Sequence, residues 1–282
     1  MFNSEKFYRN LNKYRKAVQI FSLLFLIAIP ILILLDIRYI IGNMYSISFW
    51  DLDIVDPAMM VQTIVLSKEF YVPLLIAALI PIALALIFGK VFCSWMCPYN
   101  TLLELFELRW LKKIQRKIFN RKRKSNSNPK PYVYWITFVS LVLITLIFGV
   151  PLFTWISMPG IISSEIFAVI VGLGIGVSTI IFGLVFLFEL IIGKRYWCKY
   201  VCPVGATLSL VRTKYTMHIN HNEDVCDCAA KAEPCGNDCP LDLNPKENNL
   251  YPYCFNCGRC IKVCEVTGNK ALSFSFVKKN KK

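Results

Sequence analysis

Residues 70–98 read FYVPLLIAALIPIALALIFG followed by KVFCSWMCP. The first twenty carry no charge. At a rise of about 1.5 Å per residue, a helix of that length crosses a hydrocarbon layer about 30 Å thick. Directly behind the apolar run come Gly89-Lys90, an aromatic residue and Cys93-x3-Cys97-Pro98. A membrane-crossing helix that ends in a pair of thiols is therefore the unit to look for elsewhere in the chain.

Three more uncharged runs occupy residues 17–35, 133–150 and 166–188. The chain has 282 residues, of which 56% are hydrophobic and only 18% charged, against about 25% charged in a soluble domain. The apolar excess is gathered into these four runs. That pattern excludes a soluble enzyme, a nucleic-acid-binding module and a secreted disulfide scaffold. Orientation follows from the basic residues. Five Lys/Arg precede the first run, eleven lie between residues 90 and 130, and fourteen follow the fourth run. The segment between the first and second runs has only Arg38 and Lys68. Lys/Arg-rich loops stay on the cytoplasmic side, so both termini and the middle loop are expected inside, and the run at 121–124 reads as a topology signal meeting anionic lipid. The first run leads into Asp36-Ile37-Arg38 without a small-residue cleavage site, so it reads as a retained anchor.

The thiol unit occurs twice. Gly193-Lys194, aromatics and Cys198-x3-Cys202-Pro203 follow the fourth run as their counterparts follow the second, with both cysteines offset by the same 105 residues. Internal duplication with functional groups at the junction of the halves is a recurrent membrane design. Positions i and i+4 share a helical face, so each motif presents two thiols in one direction, and the Pro suits the first turn of a following helix, expected to lie along the membrane surface over residues 101–117. Cys93, Cys97, Cys198 and Cys202 then either hold one iron–sulfur cluster or act as redox-active thiol pairs.

Beyond residue 220 the apolar runs end, and eight of the twelve cysteines follow. Cys254-x2-Cys257-x2-Cys260-x3-Cys264 has the spacing of a bacterial ferredoxin, in which three thiolates bind one cluster and the fourth serves a neighbour. The preceding group, Cys226-x1-Cys228-x6-Cys235-x3-Cys239-Pro240, is less regular. Crossed ligation predicts cluster one on Cys226, Cys228, Cys235 and Cys264, and cluster two on Cys254, Cys257, Cys260 and Cys239. The expected fold class is therefore an all-α membrane bundle of four transmembrane helices with an internal repeat, residues 1–219, plus a small cytoplasmic ferredoxin-like domain, residues 220–282. Eight irons per chain would leave the membrane thiols without a cluster, whereas about twelve would add a third site.

Candidate proton-handling carboxylates are Asp51, Asp53, Asp56 and Glu165 on the outer side and Glu189 beside the second thiol motif. The only histidines, His218 and His221, stand together after the last run, and no Cys-x-x-Cys-His is present. An internal bis-histidine haem is thereby excluded. Gly172-x3-Gly176 lies within an apolar run and reads as a helix-packing surface.

Gly42-Asn43, Asp56-Pro57 with Gln62, residues 92–98, Trp197-Cys198…Cys202-Pro203-Val204-Gly205-Ala206, and Cys254…Cys264 without a following Pro together resemble the NapH/MauN family of membrane polyferredoxins. The resemblance runs from the first span to the tail. It implies a four-span protein of the bacterial cytoplasmic membrane with two [4Fe–4S] clusters and cytoplasmic termini. It also implies that electrons pass from quinol toward a periplasmic reductase pathway, such as a nitrate reductase, through a periplasmic ferredoxin-type protein and a multihaem cytochrome. In this reading the chain is a component of a quinol dehydrogenase rather than a stand-alone enzyme. The alternative is a cluster-bearing assembly or metal-handling factor for a membrane oxidase. The irregular first cysteine group departs from the family pattern and leaves the type of cluster one open.

Overall fold

A computed structural model describes residues 4–36, 39–50, 52–107, 128–172, 174, 176–226, 234–247, 250–267 and 271–276. The basic run at 121–124, most of the expected surface helix over 101–117, and Cys228 lie outside the described residues.

Helix α1, Ser4–Leu34, leads into a three-stranded antiparallel sheet of β1 (Ile40–Gly42), β2 (Ser46–Phe49) and β3 (Leu52–Val55). Ile47 pairs with Ile54 and Ser48 with Asp53. The chain then runs through α2 (Pro57–Ser67), α3 (Val72–Phe88), α4 (Val91–Trp95) and α5 (Pro98–Phe106). A second series follows: α6 (Pro131–Phe148), α7 (Leu152–Ile156), α8 (Met158–Val171), α9 (Val177–Ile192), α10 (Tyr196–Tyr200) and α11 (Pro203–Leu210). The C-terminal part holds β4 (His218–His221), a short 3₁₀ turn at Glu223–Val225, α12 (Pro234–Asn237), α13 (Arg259–Thr267) and β5 (Leu272–Ser275).

Several apolar helices have membrane-crossing character. Residues Asn10–Leu34 and Pro131–Phe148 are long and apolar enough by themselves. Two further candidates are bent: α3 turns by 88° into the helix pair that carries Cys93 and Cys97, and α9 turns by 104° into the pair that carries Cys198 and Cys202. Outward faces expose Phe21, Leu79, Ile147 and Leu184, whereas the small residues Ala77, Ala78 and Ala85 of α3 are buried. Apolar side chains facing out and small or polar ones facing in are what a lipid solvent favours.

Three expectations are corrected. The continuous span over residues 166–188 is two helices, because Gly172 and Gly174 adopt φ of +83° and +86°, values that L side chains rarely hold in a helix. The Gly172-x3-Gly176 stretch is thus a break between α8 and α9, not a packing surface. The bundle is mostly helical rather than all-α, since residues 46–55 form two strands of a sheet; their alternation, Ser-Ile-Ser-Phe then Leu-Asp-Ile-Val, carries the period of two that marks strands. The boundary at 219/220 cuts β4, whose His218 pairs with Ser275 and whose His221 pairs with Leu272. The C-terminal unit therefore begins at or before His218.

The two series interlock. Helix α2 packs on α6 and α11, and α8 packs on α1 and α5, so each short apolar helix lies against the other series. Gln62 on α2 and Thr154 on α7 exchange hydrogen bonds of 2.9 and 3.2 Å. Tyr45 donates to the Thr154 carbonyl at 2.6 Å, and its ring lies where a side chain on Gly160 would stand. This arrangement draws the ends of α4 and α10 toward a common centre.

Candidate functional site

Both thiol motifs are built in the same way. Cys97 and Cys202 occupy the N-cap positions of α5 and α11, with Pro98 and Pro203 as the first helical residues. Pro lacks the N–H that a helix start leaves unpaired, and the remaining amides favour a negatively charged group at the cap. Cys93 and Cys198 lie in α4 and α10, one short helix earlier. Cys93, Cys97, Cys198 and Cys202 line one cavity together with Lys90, Tyr99, Met158, Val204, Leu241 and Phe255. The two motifs, 105 residues apart in sequence, meet there.

A second cavity is lined by Cys239, Cys254, Cys257 and Cys260 among apolar residues that include Ile219, Leu243 and Leu250. Leu241 and Phe255 belong to the walls of both cavities. The cysteine-rich loop is fixed to the membrane part at this point. The Asn256 amide donates to the carbonyls of Phe88 at 3.0 Å and Met217 at 2.8 Å. Gly258, at φ +72°, is pressed so close to Leu11 of α1 that a Cβ there would collide with it. Arg259 holds Asp238 through two hydrogen bonds of 3.2 and 3.0 Å and faces Glu107 at 3.6 Å.

Of the remaining predicted cluster cysteines, Cys264 interacts electrostatically with Cys226, and Cys235 with Cys260. Cys228 lies outside the described residues.

The thiols suit a multinuclear cluster. No two cysteines among the described residues are joined in a disulfide. Among the described residues no three His, Cys, Asp or Glu side chains gather closely enough for a single metal ion, although four thiols surround each cavity. Four thiols to a cavity is the ligand number of a [4Fe–4S] cluster. Burial pushes Cys254 up to about 12 and Cys260 well above the usual thiol range. Thiolate in such a place requires metal charge to compensate it.

The carboxylates are placed unequally. Glu189 is buried at the junction of the motifs, accepting from the Tyr99 hydroxyl at 2.7 Å and from the Trp197 amide at 2.5 Å. Asp56 caps α2, accepting from Ala58 N at 3.2 Å, and interacts with Cys202 and Cys93 only at longer range. Burial raises its carboxyl to about 7. Glu165 is engaged away from both cavities, holding the turn between α8 and α9 through Ser178 and the Gly176 amide. Sequence reasoning missed the buried cations. Arg15 pairs with Glu104 at 2.9 Å, Arg195 donates to Asn100 at 2.8 Å, and Lys90 meets Tyr134 at 2.7 Å. Only the Gly-Lys doublet of the repeat signalled any of them.

Membrane-length apolar helices joined to cysteine-lined cavities define an iron–sulfur electron-transfer protein associated with the membrane. A family model described as a 4Fe-4S binding domain matches residues 71–123 and 175–216. An uncharacterized protein of Methanocaldococcus jannaschii is 31% identical over 74% of this chain and 73% of its own length. The ferredoxin-type protein NapH of Haemophilus influenzae is 29% identical over 71% of this chain and 67% of its own length. The methylamine utilization ferredoxin-type protein MauN of Paracoccus denitrificans is 29% identical over 66% of this chain and 60% of its own length. No solved structure matches the chain. The chain belongs to the NapH/MauN-type polyferredoxins.

Proposed function

We propose that the protein is the membrane iron–sulfur subunit of a quinol dehydrogenase module, carrying electrons between the quinone pool and a periplasmic reductase pathway. Four spans, arising from an internal duplication, place both termini and the C-terminal unit in the cytoplasm of a bacterial cell. The second and fourth spans are the bent helices.

The observation that carries this reading is the pair of four-cysteine cavities with Leu241 and Phe255 in common. Cys239, Cys254, Cys257 and Cys260 hold one [4Fe–4S] cluster; Cys226, Cys228, Cys235 and Cys264 hold a second. Cys93, Cys97, Cys198 and Cys202 hold a third. The matched 4Fe-4S binding segments support this assignment, since they contain these four cysteines and stop before Cys226. When bound, such clusters accept and release single electrons. The chain itself supplies dry, apolar cavities, amides at two helix starts, and a shared wall between neighbouring centres. The third site lies where α2 and α8, from the outer side, meet the inner motifs, so it offers electrons a route through the bilayer. Quinol oxidation also releases protons. Asp56, raised to about 7, is the group suited to accept one.

The test is quinol-driven reduction of the anaerobically purified chain in lipid vesicles, followed by its visible and paramagnetic signals. Bleaching of the clusters by quinol supports the reading. Clusters that stay oxidised, with one copper bound per thiol pair, would point to a metal-handling factor instead.

A further inference from the structure

The Gly-Lys doublet occurs in both series, and its two lysines have different surroundings. Lys194 is partly exposed and pairs with Asp242 at 3.2 Å while donating to the Cys239 carbonyl at 2.9 Å. Lys90 is 3% exposed. Its ammonium donates to the Tyr134 hydroxyl at 2.7 Å and lies 4.6 Å from the centre of that ring. Neither contact supplies an anion. Among the described residues no carboxylate reaches Lys90. Lys90 lines the cavity of Cys93, Cys97, Cys198 and Cys202, and the charged groups that act on it include Cys93, Cys202, Cys254 and a second cation, Arg212. Arg212 itself donates to the Met217 carbonyl at 3.5 Å and lies over the Tyr251 ring.

A buried cation needs a compensating anion, and a second cation nearby makes the need greater. Among the described residues the anionic groups that act on Lys90 most strongly are cysteines lining the two cavities. Four thiolates outweigh the positive charge of an iron–sulfide core, so a filled cavity is a net anion, and each electron it accepts makes it more negative. Cluster potentials follow such local charge.

We propose that Lys90 is a positioning residue that acts through charge: a fixed cation in the wall of the cavity lined by Cys93, Cys97, Cys198 and Cys202, where it favours reduction of the cluster on those cysteines. This rests on the reading that those four cysteines hold a cluster. Lys90 takes no part in ligation, and its effect is on where the electron resides.

The experiment is a paramagnetic redox titration of the full-length chain in detergent, with the signal lost in Cys198→Ser used to identify the cluster. Lys90→Met retains the iron content of the unaltered chain and shifts the reduction equilibrium about tenfold toward the oxidised form, about 59 mV for one electron. Lys90→Gln is the second neutral variant and shifts it the same way. Lys90→Arg, which keeps the charge, and Tyr134→Phe, which keeps the ammonium, stay within threefold of the unaltered chain. A merely structural lysine would not separate these variants. Neutral variants that keep their iron and titrate with the unaltered chain overturn the role of Lys90 alone. An unaltered chain with no Cys198-dependent signal overturns the cluster assignment and the inference with it.

Discussion

Ser94, buried in the first thiol motif, donates a 2.7 Å hydrogen bond to the carbonyl of Phe255 in the ferredoxin-type loop, 161 residues later. Phe255 lines both cysteine cavities, so this bond ties the two candidate centres to each other. Removing a partner from a buried carbonyl costs about 1–3 kcal/mol. Ser94→Ala is expected to lower the melting temperature and to speed the loss of iron to a chelator, without changing the iron content at the start. Unaltered chelation kinetics would show that the loop is held by its other contacts.

Gly258→Ala is expected to weaken the same seam for two separate reasons. The αL backbone at +72° disfavours any Cβ, and that Cβ meets Leu11. The first effect costs about 1–2 kcal/mol. Leu11→Ala is itself costly in this buried place, so the collision is read against that background: Gly258→Ala should lower the melting temperature less when Leu11 is already Ala than in the unaltered chain.

Glu189 accepts from Tyr99 on one motif and from Trp197 on the other. Glu189→Ala strands both donors in a buried place, at a cost of about 3 kcal/mol. Glu189→Gln keeps an acceptor for Trp197 and should lose less than half of that. Equal melting temperatures for the two variants would mean that the carboxylate does not join the motifs.

Asp56 gives a pH signature. Its folded-state carboxyl is raised to about 7 from 3.8, so between those values the folded chain binds more protons than the unfolded one. The stabilisation is fully present below about pH 4 and is lost as pH rises through 7, with a slope of at most about 1.4 kcal/mol per pH unit. Asp56→Asn keeps a good helix cap and removes the titration. Melting temperature against pH should therefore fall more steeply for the unaltered chain than for the variant between pH 4 and 7.

The sequence was most legible where chemistry and period coincide. The ferredoxin spacing picked out Cys254, Cys257 and Cys260, and crossed ligation added Cys239, the four thiols that line one cavity. The repeated Cys-x3-Cys-Pro brought Cys93 and Cys198 to a common centre on paper, and they line the other. Hydropathy alone did not reveal the break at residues 172–176, because glycines within an apolar run serve equally as packing sites or as helix ends. The sheet at residues 40–55 is obscured in the sequence by Asp51, Asp53 and Asp56, which read as candidate proton-handling groups rather than as strand residues. Lys90 and Arg195 were read as topology signals, since a basic residue beside a span ordinarily faces water. Their burial depends on the meeting of two distant motifs, which no local pattern records.

The central claim is that the membrane thiols hold iron as the C-terminal ones do. Iron and acid-labile sulfide per chain, measured on anaerobically purified protein, test it most directly when the unaltered chain is compared with the Cys93→Ser/Cys198→Ser variant. Three [4Fe–4S] sites predict about twelve irons and as many sulfides, falling to about eight in the variant. The same count of about eight in both proteins would contradict the claim.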